Sequence, residues 1–367
     1  MKLASISVRR YDLRLERSIP LRDTNLSVRS GLILTLQSDS GHSGYGDIAP
    51  LPGFSGETLD EATEQALSLS DLVITTELPS GDAPLGWALA DWVEHHAMLA
   101  PSVRFGIESA LLNLISQVEG VPLSKILAAR PRDSVSVCGL VIGSGDLAVQ
   151  QARHLTAQGY RALKIKVGRK PVQEDIAFVH LMRQSVGNDI ALRVDANRAW
   201  EMNDAIAFAN GVRDCAIEYV EEPLADSSAL AEFHTATDFP VALDESLVGL
   251  DPKTFTPFPG VTAFILKPTI LGGIEHTQDW IRRANDCGIT PVISAAFESG
   301  AGINILAQLA ACITGGDAPV GLDTYGWLAE DVLSERLDMK NGHLDLAQAD
   351  ATASHIDATH LRTVEHV

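Results

Sequence analysis

The chain has 367 residues, 46% of them hydrophobic, with 29 glycines and 17 prolines; this is enough core for one large barrel or two domains and excludes a disordered or fibrous protein. A formal charge of −20 repels phosphate, which argues against nucleic acid or an anionic membrane as partner but leaves room for a small anionic substrate in a locally positive pocket. There is no apolar run of about 18 residues to span a membrane, no signal-type apolar core near the N-terminus, and no CxxC pairing among Cys138, Cys215, Cys287 and Cys312, so a cytoplasmic protein with free thiols is expected.

In chain order, residues 3–15 and 29–38 read as strands, with a turn at Ser40-Gly41. A Pro/Gly-rich loop, GDIAPLPGFSG, leads into a helix whose start signals lie between Ser55 and Thr58, and a second helix is predicted over 103–117. Strands followed by helices make residues 1–130 a small α+β domain. From residue 131 the pattern alternates. Apolar runs of strand length (SVSVCGLVI, RALKIKV, IALRVDA, IEYVEE, PVALDE, VTAFILK, TPVISA) are separated by amphipathic segments. Pro171 to Val186, stopped by Gly187, is one such segment, and the Ile274, Ile281 and Ala284 stripe, stopped by Gly288, is another. A helix over 301–313 precedes a short eighth strand at Gly321-Leu322. So many β/α units in about 200 residues predict a closed parallel barrel over 131–329. An open doubly wound sheet is the weaker reading, because it would want a GxGxxG loop that is missing here. Residues 330–367 are expected to fold back onto the first domain.

In such a barrel, chemistry sits where the strands finish. The strand ends here read Lys164-Ile165-Lys166, Asp195-Ala196-Asn197, Glu221-Glu222-Pro223, Asp244-Glu245-Ser246 and Lys267-Pro268. From Lys166 to Lys267 they are spaced by 29, 26, 23 and 23 residues. Each step is about one β/α unit, so Asp195, Glu221 and Asp244 should converge from neighbouring strands. Three converging carboxylates stay ionised only beside a cation. With no His or Cys among them the donors are all oxygen, which selects a hard ion: Mg2+, with Mn2+ as substitute. Lys164 and Lys166 share one strand face. Two adjacent ammonium groups disfavour each other's charge, which lowers one pKa toward the range of a general base. A lysine base beside a metal-bound carboxylate suits removal of the proton next to that carboxylate, so a small carboxylate substrate is expected.

The series KIKVG, RVDANRAW, VEEP, ALDES and ILKP, followed by Leu271-Gly272-Gly273, resembles the muconate-lactonizing subgroup of the enolase superfamily, for which a lysine base with Mg2+ is the known pattern. The resemblance covers nearly the whole chain, including a cap before the barrel and the RFGIESALLNL helix. It implies a modified (β/α)8, or (β/α)7β, barrel with an N-terminal α+β cap completed by the C-terminal segment. It implies Asp195, Glu221 and Asp244 as metal ligands, with Glu221 rather than Glu222 taken from VEEP. Lys166 and Lys267 become acid/base groups on opposite faces, Lys164 tunes Lys166, and Asn197 and Glu245 support the metal.

Within the subgroup, GDIAPLPGFSGET, ISAAFESGAGI and Arg193 ahead of Asp195 are similar to o-succinylbenzoate synthases. The Asp-x-Asp usual in dipeptide epimerases is missing from Gly321-Leu322-Asp323-Thr324-Tyr325, while Ala295, Ala296 and Gly300 depart from serines of many synthases. The implied reaction dehydrates a hydroxylated cyclohexadiene carboxylate bearing a succinyl group, through an enediolate, to an aromatic product. Racemisation or epimerisation of an acylated amino acid or dipeptide, cycloisomerisation, and a non-catalytic scaffold stand as alternatives. The resemblance also makes Pro52, Gly53, Phe54, the stretch Leu21 to Leu26, Arg193, Ser294, Glu298, Ser299 and Gly300 candidate substrate contacts, although Ser294, Glu298 and Ser299 equally suit a helix cap. The eleven histidines, among them His95, His96 and His154, show no metal-ligand spacing. Oligomeric state is left open.

Overall fold

The structure is a computed structural model that describes residues 2–21, 25–73, 99–314 and 316–364. Three antiparallel strands open the chain: β1 Leu3–Pro20, β2 Asn25–Ser38 and β3 Ser43–Ile48. The first two run longer than the sequence suggested, because a register shift after Arg14 lets pairing resume at Ile19 opposite Leu26. Thr58 and Glu61 start the helix Leu59–Val73 as a capping box: the Thr58 N–H donates to Glu61 Oε2 at 2.8 Å, and the Glu61 N–H donates to Thr58 Oγ1 at 3.2 Å. The helix Pro101–Glu119 begins on proline and ends before Gly120, whose φ is 65°. It lies on β3 at backbone contact. A Cβ at Gly44 would meet the Ala110 carbonyl, and one at Gly46 the Gly106 carbonyl, so the strand SGYGDI needs glycine at both helix-facing positions.

The second region starts with β4 Ser134–Ser136. A parallel sheet follows: β5 Gly139–Val141, β6 Ala162–Lys166, β7 Ala191–Asp195, β8 Ile217–Glu221, β9 Val241–Leu243, β10 Val261–Leu266 and β11 Thr290–Ile293, each paired with the next. Val320 and Gly321 close the ring. The Cys138 N–H donates to the Val320 carbonyl at 2.8 Å and the Ala295 N–H to the Gly321 carbonyl at 2.9 Å. The barrel is therefore closed, by an eighth strand of two residues placed one residue earlier than expected. Helices Gly145–Ala157, Val172–Val186, Met202–Gly211, Leu230–Thr237, Gly273–Asp286 and Gly300–Ala311 form crossovers. The unit after β9 differs: a 3-10 turn, Glu245–Leu247, and a loop replace the helix. Pro252, Pro257 and Pro259 in that stretch lack the backbone donors a helix interior requires.

Strand alternation divides the barrel side chains. Leu163, Ile165, Leu192, Val194 and Val220 join the main core under the helices, whereas Tyr219, Ala242, Ala263, Ile265 and Val292 form a separate apolar cluster inside the ring. The C-terminal segment is shared rather than devoted to the cap. β12 Met339–Lys340 and β13 His343–Asp345 extend β4, with Leu344 buried opposite Val135, and among the described residues of the segment only β14 Leu361–Thr363 joins the cap sheet, along β1. Among the described residues no helix is long and apolar enough to cross a membrane.

Candidate active site

The charged strand ends are in register: Lys166 lies opposite Asp195, and Asp195 opposite Glu221. Asp244 and Lys267 each follow their strand by one residue. Lys164 Nζ donates to both Glu221 oxygens at 2.7 Å and lies 2.7 Å from Asp195 Oδ2. Lys166 Nζ donates to Asp195 Oδ2 and Asn197 Oδ1, each at 2.6 Å. Lys267 Nζ donates to Asp244 Oδ2. Asn197 Nδ2 donates to Glu245 Oε1 at 3.3 Å. The structure thus brings together all eight residues expected as ligands, bases and support.

Burial disfavours every charge here, and the neighbours decide which way each group shifts. Lys164 is held well above the ordinary lysine value despite burial, because Asp195 and Glu221 flank it. Lys166 is pushed below that value, by burial and by the charge of Lys164, against the pull of Asp195. Lys267 is raised against burial by Asp244 and Glu221. Asp195 is held well below the carboxylate range, since Lys164 and Lys166 outweigh its burial.

Asp195, Glu221 and Asp244 crowd together, and burial together with Asp195 pushes Glu221 far upward. Two of these carboxylates share Lys164, and the cluster offers only oxygen donors. Crowded, all-oxygen carboxylates fit a hard divalent cation such as Mg2+. The ammonium groups stand among the carboxylates, so a cation would compete with the lysines for the same oxygens.

Several contributors escaped the sequence reading. Glu222 is fully buried and accepts from the Asp244 and Ser246 N–H groups (2.9 and 2.7 Å), the Ser246 hydroxyl (2.8 Å) and Arg198 Nε (3.0 Å). It therefore pins the backbone that carries Asp244. Asn197, Arg198, Glu222 and Phe297 have φ of 45°, 61°, 43° and 62°. All four lie just beyond the ends of barrel strands, and left-handed backbone in non-glycine residues is costly enough to need support from its surroundings. The second glutamate of VEEP was the available signal; the dihedral angles left none.

A cavity of about 710 Å³ opens over the strand ends, between Lys164, Lys166 and Lys267 on one side and Leu21, Leu51 and Phe54 of the cap on the other. Its volume suits a small organic ligand. Of the expected substrate contacts, Leu21, Phe54, Arg193 and Ser294 line it, whereas Asn25 and Leu26 do not. Pro52 and Gly53 do not; both are solvent-exposed, and Leu51 and Phe54 on either side face the cavity instead. Residues 22–24, His95 and His96 lie outside the described residues. Arg193 is only 2% exposed, and its guanidinium is engaged by Glu218 Oε2 at 2.7 Å and the Pro319 carbonyl at 2.6 Å.

Glu298, Ser299 and Gly300 require correction, because they lie at the junction of cap and barrel rather than in the cavity wall. Ser299 donates its N–H (2.8 Å) and hydroxyl (2.7 Å) to Asp47, and the Gly300 N–H donates to Asp331 at 2.9 Å. Two carboxylates thereby meet the positive end of the helix Gly300–Ala311. Glu298 accepts from the Thr269 hydroxyl at 2.6 Å and the Ala296 N–H at 2.5 Å. Arg29, which the sequence reading passed over, is 1% exposed. It donates to the carbonyls of Phe297 (3.0 Å), Pro50 (2.8 Å), Ser30 (3.0 Å), Ala296 (3.2 Å) and Ala49. One side chain thus ties the cap loop before Leu51 to the strained barrel turn at Phe297.

Residues 147–350 match the family described as Enolase C-terminal domain-like, and residues 3–114 match the MenC N-terminal domain. The chain belongs to the enolase superfamily. The o-succinylbenzoate synthase of Aliivibrio fischeri is 34% identical over 352 residues, covering 95% of this chain and 97% of that one. Protein PHYLLO, chloroplastic, of Arabidopsis thaliana is 33% identical over 347 residues; the match takes 84% of this chain but only 20% of that much longer protein. Among solved structures, the dipeptide epimerase of Enterococcus faecalis complexed with Mg and L-Leu-L-Tyr superposes with a TM-score of 0.82 at 25% identity, over 94% of this chain and 97% of that one. The chain is thus an enolase-superfamily enzyme with the barrel and cap of that superfamily.

Proposed function

We propose that this enzyme is a hydro-lyase that dehydrates 2-succinyl-6-hydroxy-2,4-cyclohexadiene-1-carboxylate to 2-succinylbenzoate, the o-succinylbenzoate synthase reaction of menaquinone biosynthesis. The observation that carries this reading is the likeness to curated o-succinylbenzoate synthases over nearly the full length of both proteins, cap included. Asp195, Glu221 and Asp244 would hold Mg2+, with Asn197 and Glu245 in support. The ion would supply positive charge to the substrate carboxylate, making the neighbouring proton more acidic.

The remaining chemistry belongs to the lysines. Lys166, lowered in pKa by burial and by Lys164, removes the ring proton beside the carboxylate. The C–H electron pair passes first onto the carboxylate, as an enediolate, and then into the ring as the C–O bond to the hydroxyl breaks. Lys166 returns its proton to that hydroxyl, which leaves as water from the same face, and the ring becomes aromatic. Lys267 keeps its charge beside Asp244 on the far side of the site. The apolar cap residues exclude water from the ring while the three ammonium groups favour an anionic ligand.

Turnover, followed by the absorbance of the aromatic product, should vanish on dialysis against EDTA and return with Mg2+ or Mn2+. Activity that survives metal removal would overturn the metal assignment. A second reading, racemisation of an N-acyl amino acid or epimerisation of a dipeptide, draws on the two opposed lysines and on the fold shared with the dipeptide epimerase. Solvent deuterium entering an N-acyl amino acid faster than the diene carboxylate is dehydrated would favour it.

A further inference from the structure

Away from the cavity, His180, Asp214 and Cys215 meet on the outside of the barrel. His180 belongs to the helix Val172–Val186, while Asp214 and Cys215 belong to the 3-10 turn Arg213–Cys215 that leads into β8 at its N-terminal end. One ligand atom from each residue lies within 4.8 Å of the other two. Cys215 Sγ is 3.3 Å from His180 Nδ1 and 3.9 Å from Asp214 Oδ1.

From these positions we propose that His180, Asp214 and Cys215 form a second metal site, selective for a borderline-soft divalent ion such as Zn2+. A tetrahedral Zn2+ with bonds of about 2.3 Å to sulfur and about 2.0–2.1 Å to nitrogen sets its S and N ligands roughly 3.5 Å apart. The observed 3.3 Å needs little adjustment. The imidazole is already oriented for the task. Its Nε2 lies 2.9 Å from the Gly211 carbonyl, an acceptor only, so Nε2 carries the proton and Nδ1 turns its lone pair to the thiol. A backbone carbonyl on the other ring nitrogen is the usual support of a metal-bound histidine.

The turn is also preorganised. Arg183, three residues after His180, donates to the carbonyls of Cys215 (2.8 Å), Ala216 (3.1 Å) and Ile190 (2.8 Å). Asp214 is largely exposed and free to swing its carboxylate onto an ion, with water in the fourth position. One thiolate and one carboxylate would neutralise the dication. Burial, followed by the charge of Asp214, raises the thiol pKa, so metal entry must release its proton. The same Sγ and Nδ1 could otherwise share a simple thiol–imidazole hydrogen bond, and the experiment separates the two. Thiolate and imidazole select against Mg2+, while the oxygen-only strand-end cluster suits it, so each site takes its own class of ion.

The test is a titration of chelator-treated full-length protein with Co2+, under reducing conditions and with excess Mg2+ present. The expected result is one equivalent bound with a thiolate-to-cobalt charge-transfer absorption that Zn2+ abolishes. Cys215→Ser should lose that absorption and keep its Mg2+-dependent turnover. Asp214→Asn alters only a solvent-exposed side chain, so its fold is safe, and it should weaken Co2+ binding. No charge-transfer absorption in the wild type would overturn the proposal, as would an undiminished absorption in Cys215→Ser or an unchanged affinity in Asp214→Asn.

Discussion

Two buried charge networks lie within a few residues of each other, and they are built on opposite terms. At the strand ends, Asp195, Glu221 and Asp244 are answered mainly by lysine ammonium groups, each a point charge on a flexible four-carbon stem. At the cap–barrel junction, Asp47, Glu298 and Asp331 are answered by backbone N–H groups and hydroxyls, and Arg29 by five carbonyls. Glu108, also fully buried, combines the two: it pairs with Arg104 Nε at 2.8 Å and accepts from the N–H groups of Ile274 and Glu275 at the start of a barrel helix. Under the proposed function the first network trades a lysine for a cation or a substrate. The second cannot trade without breaking the structure. Burial alone therefore does not distinguish a site from a strut; the nature of the partners does.

The sharpest way to break this comparison is Lys166→Ala. It should cost on the order of 10²–10⁴-fold in kcat, with Mg2+ binding by calorimetry and the melting temperature little changed. If the variant melted as far below the wild type as a junction variant does, the strand-end cluster would be a strut after all. Arg29→Met comes next. It leaves five carbonyls without their donor and should lower stability by about 3–5 kcal/mol in urea unfolding, with KM rising as the Phe297 turn and the Leu51 loop loosen. Arg29→Lys should rescue only part of this, because an ammonium cannot reproduce the planar fork.

A smaller effect belongs to Asp323 on the cavity edge, which accepts from the Leu140 N–H at 2.7 Å and the Tyr160 hydroxyl at 3.2 Å. Burial pushes its pKa up to about 6 from 3.8. The folded chain then holds this proton more tightly than the unfolded chain, so the contribution to stability falls as pH rises from about 4 through 6. The loss should reach about 3 kcal/mol, and Asp323→Asn should lack that component of the pH dependence. The smallest effect is expected for Thr58→Ala in the capping box, which lies at the surface: about 1 kcal/mol, with no change in turnover.

The strand-end residues were legible because a β/α barrel converts a regular sequence spacing into adjacency around a ring. Lys166, Asp195, Glu221, Asp244 and Lys267 therefore announced their convergence, and alternation put Lys164 with Lys166. Glu298, Ser299 and Gly300 were ambiguous for a chemical reason: a Glu-Ser-Gly start to a helix looks the same whether it meets substrate or a carboxylate from another domain. Arg29 left no trace, since its partners at Ala296 and Phe297 lie 267 and 268 residues away and are carbonyls that every residue possesses. His180 and Cys215 are 35 residues apart, across strand β7 and the crossover helix Met202–Gly211, where ligand spacing rules that read single helices have no purchase. The fold class followed from alternation. The missing helix after β9 and the division of the C-terminal segment depend on where particular apolar faces find cover.

The pairing of β14 with β1 also sets an order of events. Arg362 donates to Asp12 at 2.8 Å across 350 residues of chain, so the Arg9–Tyr11 stretch of that edge, unlike the Leu15 stretch that Leu328 meets, waits for residues 361–363 to be made. At about 5–20 residues per second, the wait after β1 emerges is roughly 20–70 s. Through that interval the cap presents an open strand edge, a template for pairing with another chain. The barrel can close once residue 321 is free, so on the ribosome the chemistry-bearing ring is complete before the sheet that covers it.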